Sequence, residues 1–247
     1  MRVLVVTAVP AEADSVSAGL ASAGAGSPGR AVTAHTLPGG CALRRHAAGE
    51  GARVDVLSAG VGPAAAAAAT ATALTAGAYE NRSARGYDLV VSAGIGGGFR
   101  PAAPLGAVVV ADAIVAADLG AGTPDGYLAV EELGFGRSAH VPSPLSGRLA
   151  KALDAVYGPV LTVSTVTGTA ARAAELTARH PRAVAEAMEG FGVAEAAVAH
   201  GVPVAEIRAV SNAVGPRDRA AWRIGEALDA LRNAFEVLAP VFEEEAR

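Results

Sequence analysis

Short apolar runs that alternate with helical patterns constrain the fold of this chain more than any other feature. The first run, residues 3–7, is continuous and rich in β-branched residues, which is typical of a strand buried on both faces. Comparable runs follow at residues 53–58, 88–92, 106–116, 159–166 and 202–210, and two further strands are predicted at 33–37 and 41–47. Because helical segments separate most of these runs, we expect an α/β sandwich.

Length and composition predict one domain that spans residues 1–247. The chain has 247 residues, within the range of a large α/β domain, and no linker divides it. Hydrophobic residues make up 51% of the chain, but aromatic residues only 4%. The net charge of −4 argues against a nucleic-acid partner, because such binding needs clustered Lys and Arg together with stacking surfaces. We therefore expect a small-molecule ligand.

Cysteine, histidine and hydropathy patterns give three further expectations. The single cysteine, Cys41, has no partner for a disulfide or a zinc-finger framework, which fits a reducing cytoplasm. The five histidines lack the spacing of metal-binding motifs, so we expect no metal site. No apolar stretch is long enough and free enough of Gly, Pro and charge to span a membrane. The sequence therefore predicts a soluble, cytoplasmic protein with no membrane partner.

Polar side chains follow two of the predicted strands. Glu12 comes just after the first strand, in the first turn of a helix predicted at residues 12–20, where a carboxylate also favours the helix dipole. Ser211 and Asn212 end the strand at 202–210, and Asn212 could instead form an Asx turn in the loop that follows. Because ligands of α/β proteins collect at the carboxyl ends of strands, Glu12 and Asn212 are candidate site residues.

Glu189 is a candidate because it lies in an apolar segment. A helical wheel places its carboxylate beside Ala185, Gly192 and Val193, on a face of small or apolar groups. A charge at such a place needs a partner. However, Glu195 also lies among apolar neighbours on this wheel, and a Glu on an alanine-rich helix is usually solvated. Periodicity alone leaves both interpretations of Glu189 open.

Two glycine-rich segments predict a close approach of the backbone to a ligand. Residues 58–63 join a strand to an alanine-rich helix predicted at 64–76, as in an anion-binding turn, but they lack the GxGxxG fingerprint of dinucleotide-binding proteins. We therefore expect no cofactor. In residues 92–99 four of five successive positions are glycine, which predicts a ligand-binding loop containing Ser92, Ala93 and Gly94.

The remaining segments supply loops and two helices. Residues 23–29 predict a flexible loop, and residues 118–127 a polar loop that covers the site. Helices are expected within residues 142–157 and at 218–239. The last helix should pack through an apolar face that consists of Trp222, Leu228, Leu231, Phe235 and Leu238.

Four of these features, taken together, resemble the nucleoside phosphorylase and nucleosidase superfamily. In chain order they are the strand followed by Glu12, the glycine segment 92–99, the motif Ala187-Met188-Glu189, and the strand end Arg208-Ala-Val-Ser-Asn212. The order matches along nearly the whole chain, and the Met-Glu and Ser-Asn pairs are the specific signals. The resemblance implies a single three-layer sandwich with a mixed central sheet flanked by helices, and a homo-oligomer.

The resemblance also implies roles for individual residues. Glu189 would accept hydrogen bonds from the ribose 2′- and 3′-hydroxyls, and Met188 would pack against the sugar. Glu12 matches the glutamate that activates the attacking water in methylthioadenosine/S-adenosylhomocysteine nucleosidases. The remaining expected substrate contacts are Ser92, Ala93, Gly94, Thr167, Gly168, Thr169 and Ser211.

Asn212 departs from the adenine-specific nucleosidases, which have Asp at this position as a general acid toward N7 of the base. A carboxamide can donate to N7 and suits a purine with an acceptor at position 6, so the change favours hypoxanthine or guanine over adenine. The leaving base would take its proton from solvent. If the 5′ substituent is a carboxylate, Arg217 or Arg219 would bind it, although both could instead pair with Asp218.

Together these residues predict an N-ribosyl hydrolase for a 5′-modified 6-oxopurine nucleoside. A phosphorylase would need Arg or Lys near the water position, and residues 7–13 carry no cation. A methylthioadenosine/S-adenosylhomocysteine nucleosidase and a nucleoside-binding protein without activity are further hypotheses for the same pattern. A dinucleotide-dependent oxidoreductase is disfavoured by the missing fingerprint.

Overall fold

The computed structural model describes residues 1–23, 31–47, 51–82 and 85–246. Within these ranges the chain forms six α-helices, a ten-stranded sheet and a separate two-stranded hairpin. The helices are α1 (Pro10–Ser22), α2 (Pro63–Asn81), α3 (Leu145–Ala152), α4 (Ala170–Arg179), α5 (Gly190–Ala199) and α6 (Ile224–Glu244). The strands are β1 (Arg2–Thr7), β2 (Ala31–Thr36), β3 (Ala42–Ala47), β4 (Arg53–Ser58), β5 (Leu89–Gly98), β6 (Val108–Ala116), β7 (Gly120–Thr123), β8 (Gly126–Ala129), β9 (Ala139–His140), β10 (Val156–Thr162), β11 (Ala185–Ala187) and β12 (Val204–Ala213).

The central sheet is mixed, and β5 lies at its middle. The strand order is β11-β10-β6-β12-β5-β1-β4-β3-β2, and β9 pairs with β6. Strand β5 is parallel to β1 and to β12, while β2, β3 and β4 form an antiparallel meander. Strand β11 also pairs with β5, in the antiparallel sense, so β5, β12, β6, β10 and β11 close into a ring.

Helices cover both faces of the sheet. Successive residues of a strand point to opposite sides, so each central strand packs against helices on both faces. Val3 and Val5 of β1 belong to the core cluster formed with α1, α3 and α6. Leu4 and Val6 belong to the cluster formed with α2 and α5. The predicted α/β sandwich with a mixed central sheet flanked by helices is therefore confirmed. No helix within the described ranges combines the length and apolarity that crossing a bilayer requires.

The glycine segment 92–99 was predicted as a loop, and this prediction is wrong. The backbone continues as strand β5 through Gly98. A Cβ atom on Gly98 would lie 2.2 Å from the carbonyl oxygen of Ala103, and one on Gly96 would lie 2.7 Å from the carbonyl oxygen of Glu186. The glycines are needed because neighbouring segments pack directly against this strand.

Several predicted boundaries also change. Residues 118–127 form most of the β7–β8 hairpin rather than a loop, and the helix expected within 142–157 is the shorter α3. Helix α4 was not predicted, and α6 begins at Ile224 because residues 219–221 form a 3₁₀ turn. The loop predicted at 23–29 lies outside the described residues except for Ala23.

Candidate active site

A cavity of about 270 Å³ opens at the carboxyl ends of β1, β5 and β12, next to β11. This is the edge of the sheet at which α/β proteins bind ligands. Of the predicted site residues, those that line the cavity are Glu12, Met188, Glu189, Ser211 and Asn212. The structure therefore brings together residues that lie far apart in the chain.

Glu12 is held rigidly at the cavity wall. Its Oε2 accepts hydrogen bonds from the backbone N–H groups of Ala8, at 2.9 Å, and Val9, at 3.2 Å, and its Oε1 accepts one from Ile95 at 2.9 Å. Glu12 therefore caps the start of α1 and also faces the cavity. Its side chain is buried, and this burial raises the pKa of the carboxyl, although Arg208 opposes the shift.

Arg208 is a buried cation that connects two buried carboxylates beside the cavity. Its Nε donates to Glu206 at 2.9 Å, its Nη1 to Glu189 at 3.2 Å, and its Nη2 to the hydroxyl of Ser92 at 2.9 Å. Burial opposes its charge, but Glu206 and Glu189 raise the pKa of Arg208. Ser92 therefore binds this arginine instead of lining the cavity. Neither Arg208 nor Glu206 was predicted from the sequence as a site residue.

Glu189 reaches the cavity by a different route from the one predicted. The helical wheel is wrong, because residues 185–187 form strand β11 and Glu189 is the residue that precedes α5. Pairing of this segment with β10 and β5 overrides its helical periodicity. The Glu189 carboxylate is buried, and its Oε1 accepts a hydrogen bond from the Gly62 N–H at 3.2 Å. It is thus neither solvated nor in the middle of a helix.

Asn212 lies near the end of β12, opposite Gly97 of β5. The Ser211 hydroxyl is 2.9 Å from Asn212 Oδ1 and 3.2 Å from the carbonyl oxygen of Gly96. The amide nitrogen of Asn212 donates to the carbonyl oxygen of Ala213 at 3.0 Å. These contacts fix the amide within strand β12, so the Asx-turn interpretation is wrong.

Glu186 also lines the cavity and was missed. It is 4% exposed, its Oε1 accepts from the Thr167 N–H at 2.9 Å, and its Oε2 accepts from the Thr167 hydroxyl. Burial raises the pKa of this carboxyl, and the two hydrogen bonds from Thr167 oppose the shift. The three residues of β11 are too few to show the period of two that marks a strand, so the sequence pattern gave no signal for Glu186.

The other predicted contacts support the structure around the cavity instead of lining it. Ala93 packs in the core with α1 and α6, and Gly94 lies directly beneath Glu12 and Arg208. Thr169 caps α4 by accepting from the Arg172 N–H at 3.2 Å. Seven of the predicted substrate contacts, all within the described residues, do not line the cavity. They are Ser92, Ala93, Gly94, Thr167, Gly168, Thr169 and Arg217.

Trp222 was expected in the packing face of the last helix, but it precedes α6 and lines the cavity. The guanidinium carbon of Arg217 lies 5.3 Å from the centre of the Trp222 ring, and that of Arg219 lies 5.9 Å from it. Asp218 instead accepts from the Ala220 N–H at 3.1 Å and caps the 3₁₀ turn. Leu231, Phe235 and Leu238 are fully buried in the core.

The described ranges contain no group of three or more His, Cys, Asp and Glu residues placed to hold a metal ion. The cavity instead combines three buried carboxylates with an amide, a thioether and an indole. Carboxylates and an amide can bind hydroxyls and a heterocyclic base, and a carboxylate can also take up a proton from water. The apolar groups suit the faces of a sugar and a ring.

The chain belongs to the phosphorylase superfamily, because the model of that family matches residues 2–244. It is 60% identical over 244 residues to the futalosine hydrolase of Streptomyces coelicolor, and the match covers 98% of this chain and 97% of that protein. It is 48% identical to the futalosine hydrolase of Acidothermus cellulolyticus, with 95% and 89% covered. The S-adenosylhomocysteine nucleosidase of Streptococcus pyogenes has the same fold, with a TM-score of 0.76 at 17% identity over 99% of this chain and 97% of that one.

Proposed function

We propose that this protein hydrolyses the N-ribosidic bond of futalosine and releases hypoxanthine and dehypoxanthine futalosine, as a step of menaquinone biosynthesis. Futalosine is an inosine-like nucleoside that carries a carboxyphenyl ketone at its 5′ side. The two futalosine hydrolases that match nearly the whole chain support this substrate. The observation that carries the reaction type is the buried Glu12 carboxylate, held at the cavity wall by three backbone N–H groups.

Glu12 acts as the general base. A water oxygen attacks C1′ of the ribose as the bond from C1′ to N9 breaks, and the bonding electron pair leaves with the base. Glu12 takes up the proton that the water loses. Burial raises the pKa of Glu12, which improves it as a base near neutral pH. The N–H groups of Ala8, Val9 and Ile95 keep the carboxylate in one position during the reaction.

Glu189 and Met188 hold the sugar. The Glu189 carboxylate accepts hydrogen bonds from the 2′- and 3′-hydroxyls, and Arg208 pairs with it and orients it from behind. Met188 is half-buried at the cavity wall, where its thioether packs against the ribose. These contacts place C1′ near the water that Glu12 activates.

Asn212 binds the leaving base. The Asn212 Oδ1 faces the Ser211 hydroxyl and one N–H of the amide donates to the Ala213 carbonyl oxygen, so the second N–H can donate to N7 and stabilise the charge that develops on the purine. A carboxamide cannot supply a proton, so the base takes its proton from solvent. An acceptor at position 6 of the base suits the same N–H donor.

Hydrolysis is favoured over phosphorolysis by the charge of the cavity. Among the described residues, those lining the cavity include Glu12, Glu186 and Glu189 but no Lys or Arg. A phosphate ion would meet three carboxylates there, and Arg208 is already bound to Glu189 and Glu206. Water is therefore the better nucleophile for this site.

Trp222 and Arg217 form the subsite for the 5′ group. The indole of Trp222 lines the cavity and offers a surface for the phenyl ring, and the guanidinium of Arg217 stacks on that indole at the rim. A carboxylate on the phenyl ring would pair with this cation.

The reaction is tested by incubating purified protein with futalosine, inosine or methylthioadenosine, with and without phosphate, and measuring the free base by chromatography. We expect release of hypoxanthine from futalosine without phosphate, whereas strict phosphate dependence would identify a phosphorylase. Glu12→Gln should lower turnover about 100-fold or more while futalosine still binds. The matched control is Glu195→Gln, which changes a carboxylate of α5 that pairs with His140. Unchanged turnover in Glu12→Gln would remove Glu12 from the mechanism.

The proposal also includes one domain over residues 1–247, a homo-oligomer and a cytoplasmic location. A single cooperative unfolding transition would support one domain, and light scattering that gives a multiple of the protomer mass would support the oligomer.

A further inference from the structure

Glu186 is a buried carboxylate at the cavity wall for which the proposed hydrolysis has no use. Its only described hydrogen-bond donors are the N–H and O–H groups of Thr167. A carboxylate offers about four acceptor positions, so about two remain for a ligand. The side chain is 4% exposed and still lines the cavity, so a ligand that enters the cavity can reach it.

The strand register places Glu186 across from Asn212. Glu186 of β11 and Asn212 of β12 are both opposite Gly97 of β5, on its two sides. Directly opposed residues project from the same face of a sheet. The Asn212 amide lies on this face, because a Cβ atom on Gly97 would lie 3.2 Å from its nitrogen. The two residues are two strand spacings apart, about 10 Å. A planar bicyclic base with a hydrogen bond at each edge fits this width.

We propose that Glu186 selects 6-oxopurines by accepting a hydrogen bond from N1–H of the base while Asn212 donates to N7 on the other side. In hypoxanthine N1 carries a hydrogen and C6 carries an acceptor oxygen. In adenine N1 is an acceptor, so it would face the acceptor atoms of Glu186 with no proton between them. Glu186 therefore determines the specificity of the site and takes no part in bond cleavage.

The surroundings of Glu186 agree with this role. Burial raises the pKa of its carboxyl because desolvation disfavours the charged form. A third hydrogen-bond donor, supplied by the base, would stabilise the charged form and offset this desolvation cost. The other charged groups that act on it are Arg172 of α4, which lowers the pKa, and Asp118, which raises it. A Glu fixed by Thr167 from one side presents its free acceptor positions toward the cavity.

The proposal rests on the proposed function, because it takes the base to be hypoxanthine, but it can be tested without hydrolysis. Binding of free hypoxanthine and free adenine is measured by calorimetry for the wild type, Glu186→Gln and the control Glu195→Gln. The wild type and the control should prefer hypoxanthine. In Glu186→Gln the ratio of hypoxanthine to adenine affinity should fall about 10- to 100-fold, since a hydrogen bond to a charged group is lost and the new amide can donate to adenine N1.

A second measurement uses the unaltered protein and so does not depend on the folding of a variant. The ligand 1-methylhypoxanthine lacks N1–H and carries a methyl group in its place. It should bind the wild type about 100-fold more weakly than hypoxanthine. Equal affinity for the two bases would overturn the proposal.

The outcomes separate this proposal from the proposed function. If Glu186 only fastens Thr167 to the sheet, Glu186→Gln will lower the melting temperature and leave the hypoxanthine-to-adenine ratio unchanged, which refutes the specificity role. If futalosine is not cleaved but the binding ratio changes as expected, the hydrolase proposal fails and the base-reading role of Glu186 stands.

Discussion

Replacing Gly94 by alanine should slow catalysis strongly while the protein still folds. A Cβ atom on Gly94 would lie 2.6 Å from Glu12 Oε1 and 2.8 Å from Arg208 Nη1. Ordinary contacts begin at 3.4 Å, so the Glu12 oxygen would have to move by about 0.8 Å and the Arg208 nitrogen by about 0.6 Å. Gly94 has no left-handed backbone conformation, so alanine itself is not strained there.

The size of the effect follows from which atoms move. A misplacement of about 1 Å at a reacting group costs roughly 100-fold in rate, so we expect kcat of Gly94→Ala to fall by about that factor. The displaced atoms are the ends of side chains, and overpacking of this kind costs about 1–3 kcal/mol of stability. Hypoxanthine release from futalosine gives kcat, and urea unfolding gives the free energy of unfolding.

Gly122→Ala is the matched control, because no atom lies within 4 Å of its added Cβ and Gly122 has no positive φ. We expect this variant to keep wild-type kcat. A folded Gly94→Ala protein with kcat within about twofold of the wild type would refute the assignment of Glu12, because moving the base would then have no effect on the reaction.

Three further predictions concern charges at or near the cavity. Arg208→Gln leaves Glu189 and Glu206 buried without their cation, and urea unfolding should show a loss of about 3–5 kcal/mol. Arg217→Gln should raise KM for futalosine about fivefold and leave KM for inosine, which has no 5′ carboxylate, unchanged in steady-state assays. The pKa of Glu186 is raised, so its carboxylate, which is the form that accepts from N1–H, becomes protonated as the pH falls through this raised pKa. Calorimetry at decreasing pH should therefore show the affinity for hypoxanthine falling and the affinity for adenine rising.

The buried strands could be predicted because a sheet with helices on both faces requires continuous apolar runs. The prediction at 53–58 coincides with β4, and the run at 3–7 lies within β1. The common location of Glu12 and Asn212 could be predicted for a related reason, since parallel strands bring their carboxyl ends to one edge. The buried strands and the polar residues that follow them can both be recognised from the pattern of a few neighbouring residues.

The glycine segment and Glu189 could not be placed correctly, because tertiary packing overrides local preference there. Glycine disfavours a strand on its own, but Gly94, Gly96 and Gly98 give room to Glu12, Arg208 and two backbone carbonyls. Strand β11 has three residues, too few to show a period of two. The helical wheel therefore extended α5 backward through a segment that the sheet holds extended.

Arg208 and Glu186 were missed because their significance depends on distant partners. Arg208 bonds to Ser92, which is 116 residues away, and Glu186 matters through its register with Gly97. The sequence shows an arginine in an apolar strand but does not show which carboxylates surround it. Only the three-dimensional arrangement shows these neighbours.

The buried guanidinium of Arg208 acts electrostatically on both Glu12 and Glu206, so the titrations of these two acids are coupled. A proton added to either acid changes the electrostatic field at the other, so an apparent pKa in a rate profile belongs to the coupled pair and not to Glu12 alone. Glu206 can thus influence the pH optimum through Arg208. In the proposed mechanism, ribose hydroxyls that bind Glu189 would also change the field at Glu12, because the charge of Glu189 acts on that carboxyl. Binding of the sugar would then prepare the base for its water.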